Sequence, residues 1–410
     1  MRQLSVAVVA VLLLALIGTA SQAAGPGPLK IGLIIPETGY LAAPGKFMQE
    51  GLELYLKQHG NKLGGREVQV VVGDTAGNPS TGLTVTRRLV EQDGAEVLYG
   101  PLSAAVGAAI VPYIDEHKIL AVYPIVSDDD LTQRKRSPYV VRTGWSSSQT
   151  TQPLGDYAYK TLRYRTVATI AYDFAFGWQS IAGFVQTFQQ DGGTIVKQIW
   201  TPQTTNDFSA YLSQIPRNAD AVLCSFSGST AINFFRQYKA FGLKMPLVCQ
   251  GNATDESTLA ATGPSAIGTV TAMQYSAVLD TPANKAFVAA YKAAYGHVPS
   301  YYADGTYVGA MFLDRALTAA RGTIGDAAAF AAAMRGITVA DAPRGPVRLD
   351  AYGNPIENVY IRKVEQVNGE LANSIIYTYP SVSQFWTYKP ADFLAHPEYS
   401  RTYPPCNGCR

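Results

Sequence analysis

Ala221-Val222-Leu223-Cys224 and Pro246-Leu247-Val248-Cys249 carry two apolar runs, and between them Phe234, Phe235 and Tyr238 share one helical face ahead of Gly242. Runs without polar alternation suit strands buried on both faces. A strand, an amphipathic helix and a second strand in that order make the βαβ unit of a parallel sheet. The same alternation recurs outward, with further strand-like runs at residues 31–35, 68–72, 97–99, 119–123, 167–172, 195–200 and 270–273. Met48, Leu52, Tyr55 and Leu56 repeat at helical spacing between two of them. One large sheet would satisfy this pattern, but Val140-Val141-Arg142-Thr143-Gly144 is followed by a polar stretch, residues 145–152, before the second series starts. Two α/β lobes are therefore the economical architecture. Ala-rich helical patterns fill residues 282–334, and residues 346–349, 358–364 and 374–379 read as short terminal strands. Asp350-Ala351-Tyr352-Gly353-Asn354-Pro355 forms a turn after the first of these. The Tyr- and Pro-rich tail, residues 385–410, has no period and is expected to lie along the surface or wrap one lobe.

The chain's 410 residues give room for two to three domains at about 150 residues each. With 47% hydrophobic and 16% charged residues it has the composition of a folded globule. The net charge is +2, and the longest basic run, Arg134-Lys135-Arg136, is expected on a solvated loop, so no nucleic-acid footprint or polybasic membrane signal is present. Arg2, the apolar residues 5–18 and Ser21-Gln22-Ala23 follow the order of a secretory signal peptide cleaved near Ala23. That run is too short to cross a ~30 Å bilayer core comfortably. The first cysteine is Cys224, far from the cleavage site, so an exported, periplasmic protein without a lipid anchor is expected. Export permits disulfides. If the runs ending at Cys224 and Cys249 are adjacent parallel strands, a bridge between them is geometrically allowed. Cys406-Asn407-Gly408-Cys409 reads as a local loop or a free pair rather than a redox or metal motif, because two ligands do not close a zinc site.

Catalytic motifs are missing. His59, His117, His297 and His396 have no partners at metal-ligand spacing, so no metal is expected. Gly100-Pro101-Leu102-Ser103 and Phe226-Ser227-Gly228 each hold only part of a nucleophile elbow. No glycine-rich phosphate loop follows a strand, so no nucleotide cofactor is expected. Asp128-Asp129-Asp130 is the one dense carboxylate group and is expected on a solvated loop or at a helix N-terminus. What remains is a set of small polar and aromatic residues just past the strand ends, where ligands sit in open α/β sheets. In chain order these are Tyr40, Ser103, Ala104, Ile125, Val126, Ser127, Phe176, Phe226 and Gln250.

Several segments taken in order carry a family resemblance. They are Gly64-Gly65-Arg66-Glu67-Val68, Asp74, Asn78-Pro79, Arg88-Leu89-Val90-Glu91-Gln92-Asp93-Gly94 and Tyr99-Gly100-Pro101-Leu102-Ser103. Ser127 with Leu131-Thr132, Val141-Arg142-Thr143, Asn206-Asp207-Phe208 and Phe241-Gly242-Leu243 continue the series. Over about residues 29–380 the chain resembles the periplasmic solute-binding proteins of the branched-chain amino-acid type. The resemblance implies a type I periplasmic-binding-protein fold, with each lobe a mostly parallel sheet flanked by helices. The lobes would comprise residues 24–144 with 275–345 and residues 145–274 with 346–384, joined by three hinge crossings near Gly144, Tyr275 and Pro346. It further implies a monomeric binding protein, not an enzyme, that passes a small carboxylate to the membrane permease of an ABC importer.

By the same resemblance, the ligand carboxylate falls on Ser103-Ala104 and on Ile125, Val126 and Ser127, and Phe176 closes over the ligand. Two positions depart from the family pattern: Ala104, where a second hydroxyl is common, and Gln250, which is neutral where amino-acid binders carry an acid. Burying an ammonium without its counter-charge costs about 3–5 kcal/mol, which turns the expectation toward an acid without an amine. Phe176, Phe226, Tyr40, Tyr172, Tyr301 and Tyr302 would stack on a flat ring. A benzoate- or cinnamate-like ligand is the expectation, and the tail sequence Tyr399 to Pro405 resembles that of aromatic-acid binders in the family. Branched-chain amino acids, a short amide or urea, and a sensor role at a membrane receptor stay open.

Overall fold

The computed structural model describes residues 27–409, and the expected signal peptide lies outside them. The apolar runs become strands within a few residues of their expected bounds. First come β1 (Leu29–Ile35), α1 (Ala42–Gln58), β2 (Lys62–Leu63), β3 (Arg66–Asp74), α2 (Pro79–Glu91), β4 (Val97–Tyr99), α3 (Ala104–His117), β5 (Leu120–Tyr123) and β6 (Val140–Arg142). Their six strands form one sheet in the order β2-β3-β1-β4-β5-β6, parallel except for the β2–β3 pair. The second series is α4 (Ser147–Lys160), β7 (Thr166–Tyr172), α5 (Ala175–Gln190), β8 (Thr194–Thr201), α6 (Ser209–Leu212), β9 (Ala221–Ser225), α7 (Gly228–Ala240), β10 (Leu247–Gln250), α8 (Glu256–Thr262) and β11 (Val270–Met273). The helices α9 (Pro282–Tyr295), α10 (Tyr301–Ala319) and α11 (Ala327–Arg335) follow. Last come β12 (Thr338–Val339), β13 (Val347–Leu349), β14 (Pro355–Val367), β15 (Glu370–Val382) and α12 (Pro390–Ala395).

The second sheet runs β12-β13-β14-β11-β10-β9-β7-β8, with β15 added to β14. Its centre is parallel and its β14 end antiparallel. The chain thus leaves the first sheet after β6, returns its helices α9 to α11 to that side, and comes back to the second sheet through β13 and β14. Helix α10 lies so close on α1 that a Cβ at Gly51 would collide with the Ala303 carbonyl. Arg344 ties these passages together: wholly buried, it pairs with Asp304 of α10 at 3.1 Å and with Glu357 of β14 at 2.8 Å, and donates to the carbonyl of Thr143.

Several expectations change. The polar residues 145–152 do separate the two sheets but are buried and partly helical: Ser146 caps α4 with Gln149 in a reciprocal capping box, and every residue from Ser146 to Gln152 is fully buried. Their polarity is met from inside, since Gln149 Nε2 donates to the carbonyls of Pro355 (2.8 Å) and Val382 (2.9 Å) and Ser148 N donates to Asp129 Oδ1 (3.1 Å). Of the two places expected for the acidic triplet, the structure gives the helix N-terminus, and a buried one: Asp128 caps a 3-10 turn at Asp129–Thr132 and takes a 2.6 Å bond from Gln179 Nε2. Of the basic triplet, Lys135 and Arg136 are exposed, but Arg134 is half-buried against Asp130 (3.0 Å) and the His396 carbonyl (2.7 Å). Cys406 and Cys409 are not a free pair but a disulfide, and Cys224 is bridged to Cys249. The terminal strands are longer than expected, forming a hairpin through Asn368-Gly369, both at positive φ as a two-residue primed turn needs. The tail packs on α5 and β8, where Asn407 bonds Gly193 and Ile195, and reaches Lys135 through Glu398 at 2.8 Å.

Candidate functional site

Between the two sheets, beyond the carboxyl ends of their parallel strands, lies a cleft with about 370 Å³ of empty space, part of it open to solvent. Tyr40 and Leu41 enter it after β1, Leu102, Ser103 and Ala104 after β4, and Ile125 and Ser127 after β5. Trp145 comes from the first connection between the sheets. From the second sheet come Tyr172 and Phe174 with Phe176 at the start of α5, Ser227 after β9 and Asn252 after β10. Tyr301, at the start of α10, completes the wall.

The wall is aromatic. Trp145 meets Phe176 and Tyr301 edge-on, with centroids 6.5 and 6.0 Å apart. Tyr172 contacts Tyr40, Phe174 and Phe176 at 6.5, 5.4 and 6.3 Å. Burial pushes the Tyr40 phenol up to about 12 and raises Tyr172 and Tyr301 further, so these hydroxyls are neutral at physiological pH.

The lining set contains no Asp, Glu, Lys, Arg or His. Positive potential comes instead from backbone: α3, α5 and α7 begin at Ser103, Phe174 and Ser227, all three at the cleft and none with its side chain capping the helix. Free N–H groups and the helix dipole favour an anion at such ends. Three buried polar atoms of the wall have no hydrogen-bond partner among the described residues: Ser103 Oγ, Trp145 Nε1 and Asn252 Oδ1. The indole N–H is a donor only, and a buried donor without an acceptor is costly. The chemistry presented is a slot for a flat apolar body with an oxyanion at one wall.

The cleft is closed. Tyr40 receives the N–H of Ser229 on its carbonyl at 3.2 Å and the Gln203 amide on its hydroxyl, and Asn252 Nδ2 donates to Tyr301 Oη at 2.6 Å and Tyr302 Oη at 3.3 Å.

Of the residues expected from sequence, Tyr40, Ser103, Ala104, Ile125, Ser127, Tyr172, Phe176 and Tyr301 line the cleft. Val126, Phe226, Gln250 and Tyr302 do not. Val126 faces the opposite side of its loop and packs on α3 at Gly107. Phe226 sits in a core cluster with Phe208 and Phe234. Tyr302 lies behind Tyr301, centroids 3.9 Å apart. Gln250 turns back to accept from Asn252 N at 2.7 Å, so the residue that reaches the cleft from this loop is Asn252. Leu41, Leu102, Phe174, Ser227 and Asn252 were not expected; each stands within two positions of an expected residue. Trp145 was hidden in the stretch read as a polar break.

Two α/β units face each other across a solvent-reachable slot lined by aromatic and small polar side chains, the arrangement of a two-lobed binding protein. The sequence matches the family described as periplasmic binding protein over residues 28–370, and the chain belongs to that family. It is 30% identical over 381 residues to a Leu/Ile/Val-binding protein homolog 6 of Brucella melitensis biotype 1, covering 90% of this chain and 96% of the relative. Among solved structures it resembles an ABC-transporter solute-binding protein of R. palustris in complex with benzoate (31% identity, TM-score 0.82, 87% of this chain and 98% of the other). It is equally similar to one of Rhodopseudomonas palustris BisB5 in complex with 3,4-dihydroxybenzoic acid (32% identity, TM-score 0.82, the same coverage). Among the described residues no helix is long and apolar enough to cross a membrane.

Proposed function

We propose that this protein captures an aromatic carboxylate lacking an α-amine and delivers it to the permease of an ABC importer after export to the periplasm. The observation that carries this reading is the composition of the cleft wall, which is aromatic and offers N–H and O–H donors but no ionised side chain. A carboxylate is served by the uncapped start of α3 with Ser103, whereas an ammonium would be buried without a counter-charge at about 3–5 kcal/mol. The two solved relatives bound to benzoate and to a dihydroxybenzoate support the same ligand class. Tyr40, Ser103, Ala104, Ile125, Ser127, Tyr172, Phe176 and Tyr301 are the binding residues of this reading, joined by Trp145 and Asn252. The lobes, residues 24–144 with 275–345 and residues 145–274 with 346–384, open and close about the three connections, and the ligand stabilises the closed state by its differential affinity for it.

The test is a thermal-unfolding panel on protein freed of carried-over ligand by unfolding and refolding. Ligand at 100 times its dissociation constant adds roughly 2.7 kcal/mol. Benzoate and hydroxybenzoates are expected to raise the midpoint and leucine and valine to leave it unchanged; a shift with leucine or valine alone overturns the reading.

A further inference from the structure

We propose that Asn252 selects aromatic acids bearing a ring hydroxyl at the end away from the carboxylate, and that it ties this recognition to closure of the cleft. The inference rests on the aromatic-acid reading above and adds a determinant to it. Asn252 is buried, and its amide is held on one side only: Nδ2 donates to Tyr301 Oη at 2.6 Å and Tyr302 Oη at 3.3 Å, and Oδ1 has no partner. Its main chain is fixed by the Gln250 side chain at 2.7 Å, and its amide is held by the two tyrosine hydroxyls. The residue lines the cleft, which makes the ligand the natural partner for the unmet atom.

The anion-receiving atoms of Ser103, Ala104 and Ser127 hang from the first sheet, and Asn252 follows β10 of the second, so the two polar ends of the slot belong to opposite walls. The rings of Trp145, Phe176 and Tyr301 line the same slot. A ligand filling this space has its carboxylate at one wall, an aromatic body in the middle and a hydrogen-bonding group at the other. A phenolic hydroxyl serves the amide in either orientation, donating to Oδ1 or accepting from Nδ2. An unsubstituted ring or a methyl group serves it in neither. Because Tyr301 and Tyr302 belong to α10, which packs on α1 of the first sheet, the bonds that hold the amide in place cross the cleft and exist in its closed form. The hydroxyl is therefore read at an atom that is set by closure.

Calorimetric affinities of refolded wild-type protein for benzoate, para-toluate and 4-hydroxybenzoate, repeated with Asn252→Leu, test the proposal. Leaving a buried acceptor unmet predicts roughly 5- to 150-fold weaker binding of benzoate and of para-toluate than of 4-hydroxybenzoate by the wild type. In Asn252→Leu that ratio is expected to collapse toward one. Equal affinities in the wild type, tightest binding of para-toluate, or a preference that survives Asn252→Leu overturns the assignment; should the variant fail to fold, the wild-type series decides alone. Failure of all three acids to bind contradicts the aromatic-acid reading itself, and is thereby distinct from a loss of hydroxyl discrimination among acids that do bind.

Discussion

Trp145 is the residue on which the slot's polarity and shape meet: its ring faces Phe176 and Tyr301, and its buried indole N–H has no partner among the described residues. Trp145→Phe keeps an aromatic ring and removes the donor. A roughly 5- to 150-fold loss of affinity for benzoate, measured by calorimetry, is expected from one hydrogen bond to a charged or buried acceptor. Asp129 makes a different prediction. Burial pushes its carboxyl up to about 7, against the opposing pull of the Ser148 bonds and the Arg142 charge, with Asp128 adding to the rise. A carboxyl raised in the folded state holds a proton there that the unfolded chain releases near 4, so its contribution is present below that value and is lost as pH rises through about 7. Stability should therefore fall between about pH 4 and pH 7, and Asp129→Asn should flatten that slope in urea titrations. Neither residue's role was legible from sequence. Trp145 stood among seven hydroxyl and amide side chains in a stretch read only as a polar divide, and the aspartates read as a solvated loop or a helix N-terminus, because burial of a polar residue depends on partners distant in the chain, such as Pro355, Val382 and Gln179.

Elements were far more legible than residues, for a physical reason: central strands buried on both faces are nearly all apolar, and the nine strand-like runs, two of them carrying charged or amide residues at Gln69 and at Lys197-Gln198, became nine strands. The strands β9 and β10 illustrate both the reach and the limit. Their place in a parallel sheet was expected and their adjacency left as a condition; they do pair, which sets Cys224 directly opposite Cys249 with Cα atoms 4.5 Å apart. Register, which no single run encodes, is what turns an allowed bridge into a formed one. This bridge spans a separation of 25 residues, and on loop entropy its removal by Cys224→Ala with Cys249→Ala should lower the unfolding free energy by roughly 3 kcal/mol. The Cys406–Cys409 bridge closes a separation of only 3 and should contribute about half as much, comparing denaturant midpoints of the two double variants. Helix α4 was missed at its start because its first turn is polar; the signal that was available is Ser146 three residues before Gln149, a capping box. The strand-end rule found the right loops of the cleft and was off by one or two positions within them, as at Gln250 and Asn252, since the rule locates a turn and not the direction of its side chains.

At the scale of the molecule, two sheets share one chain that passes between them repeatedly, and Arg344 joins the passages through Asp304, Glu357 and Thr143. Direct bonds join the two walls at Tyr40, at Asn252 and between Gln179 of α5 and Asp128 and Asp129, and a ligand that adds contacts to both walls favours this arrangement. A slot walled by N–H and O–H donors without an ionised side chain should accept a carboxylate and reject an ammonium beside it. Phenylacetate and phenylglycine share ring and carboxylate and differ by that ammonium alone, which makes their relative affinity for the refolded protein the most direct measurement. An uncompensated ammonium at about 3–5 kcal/mol predicts that phenylacetate binds more than about 100-fold tighter. Equal or tighter binding of phenylglycine would contradict the account, because it would require a counter-charge that the cleft wall does not contain.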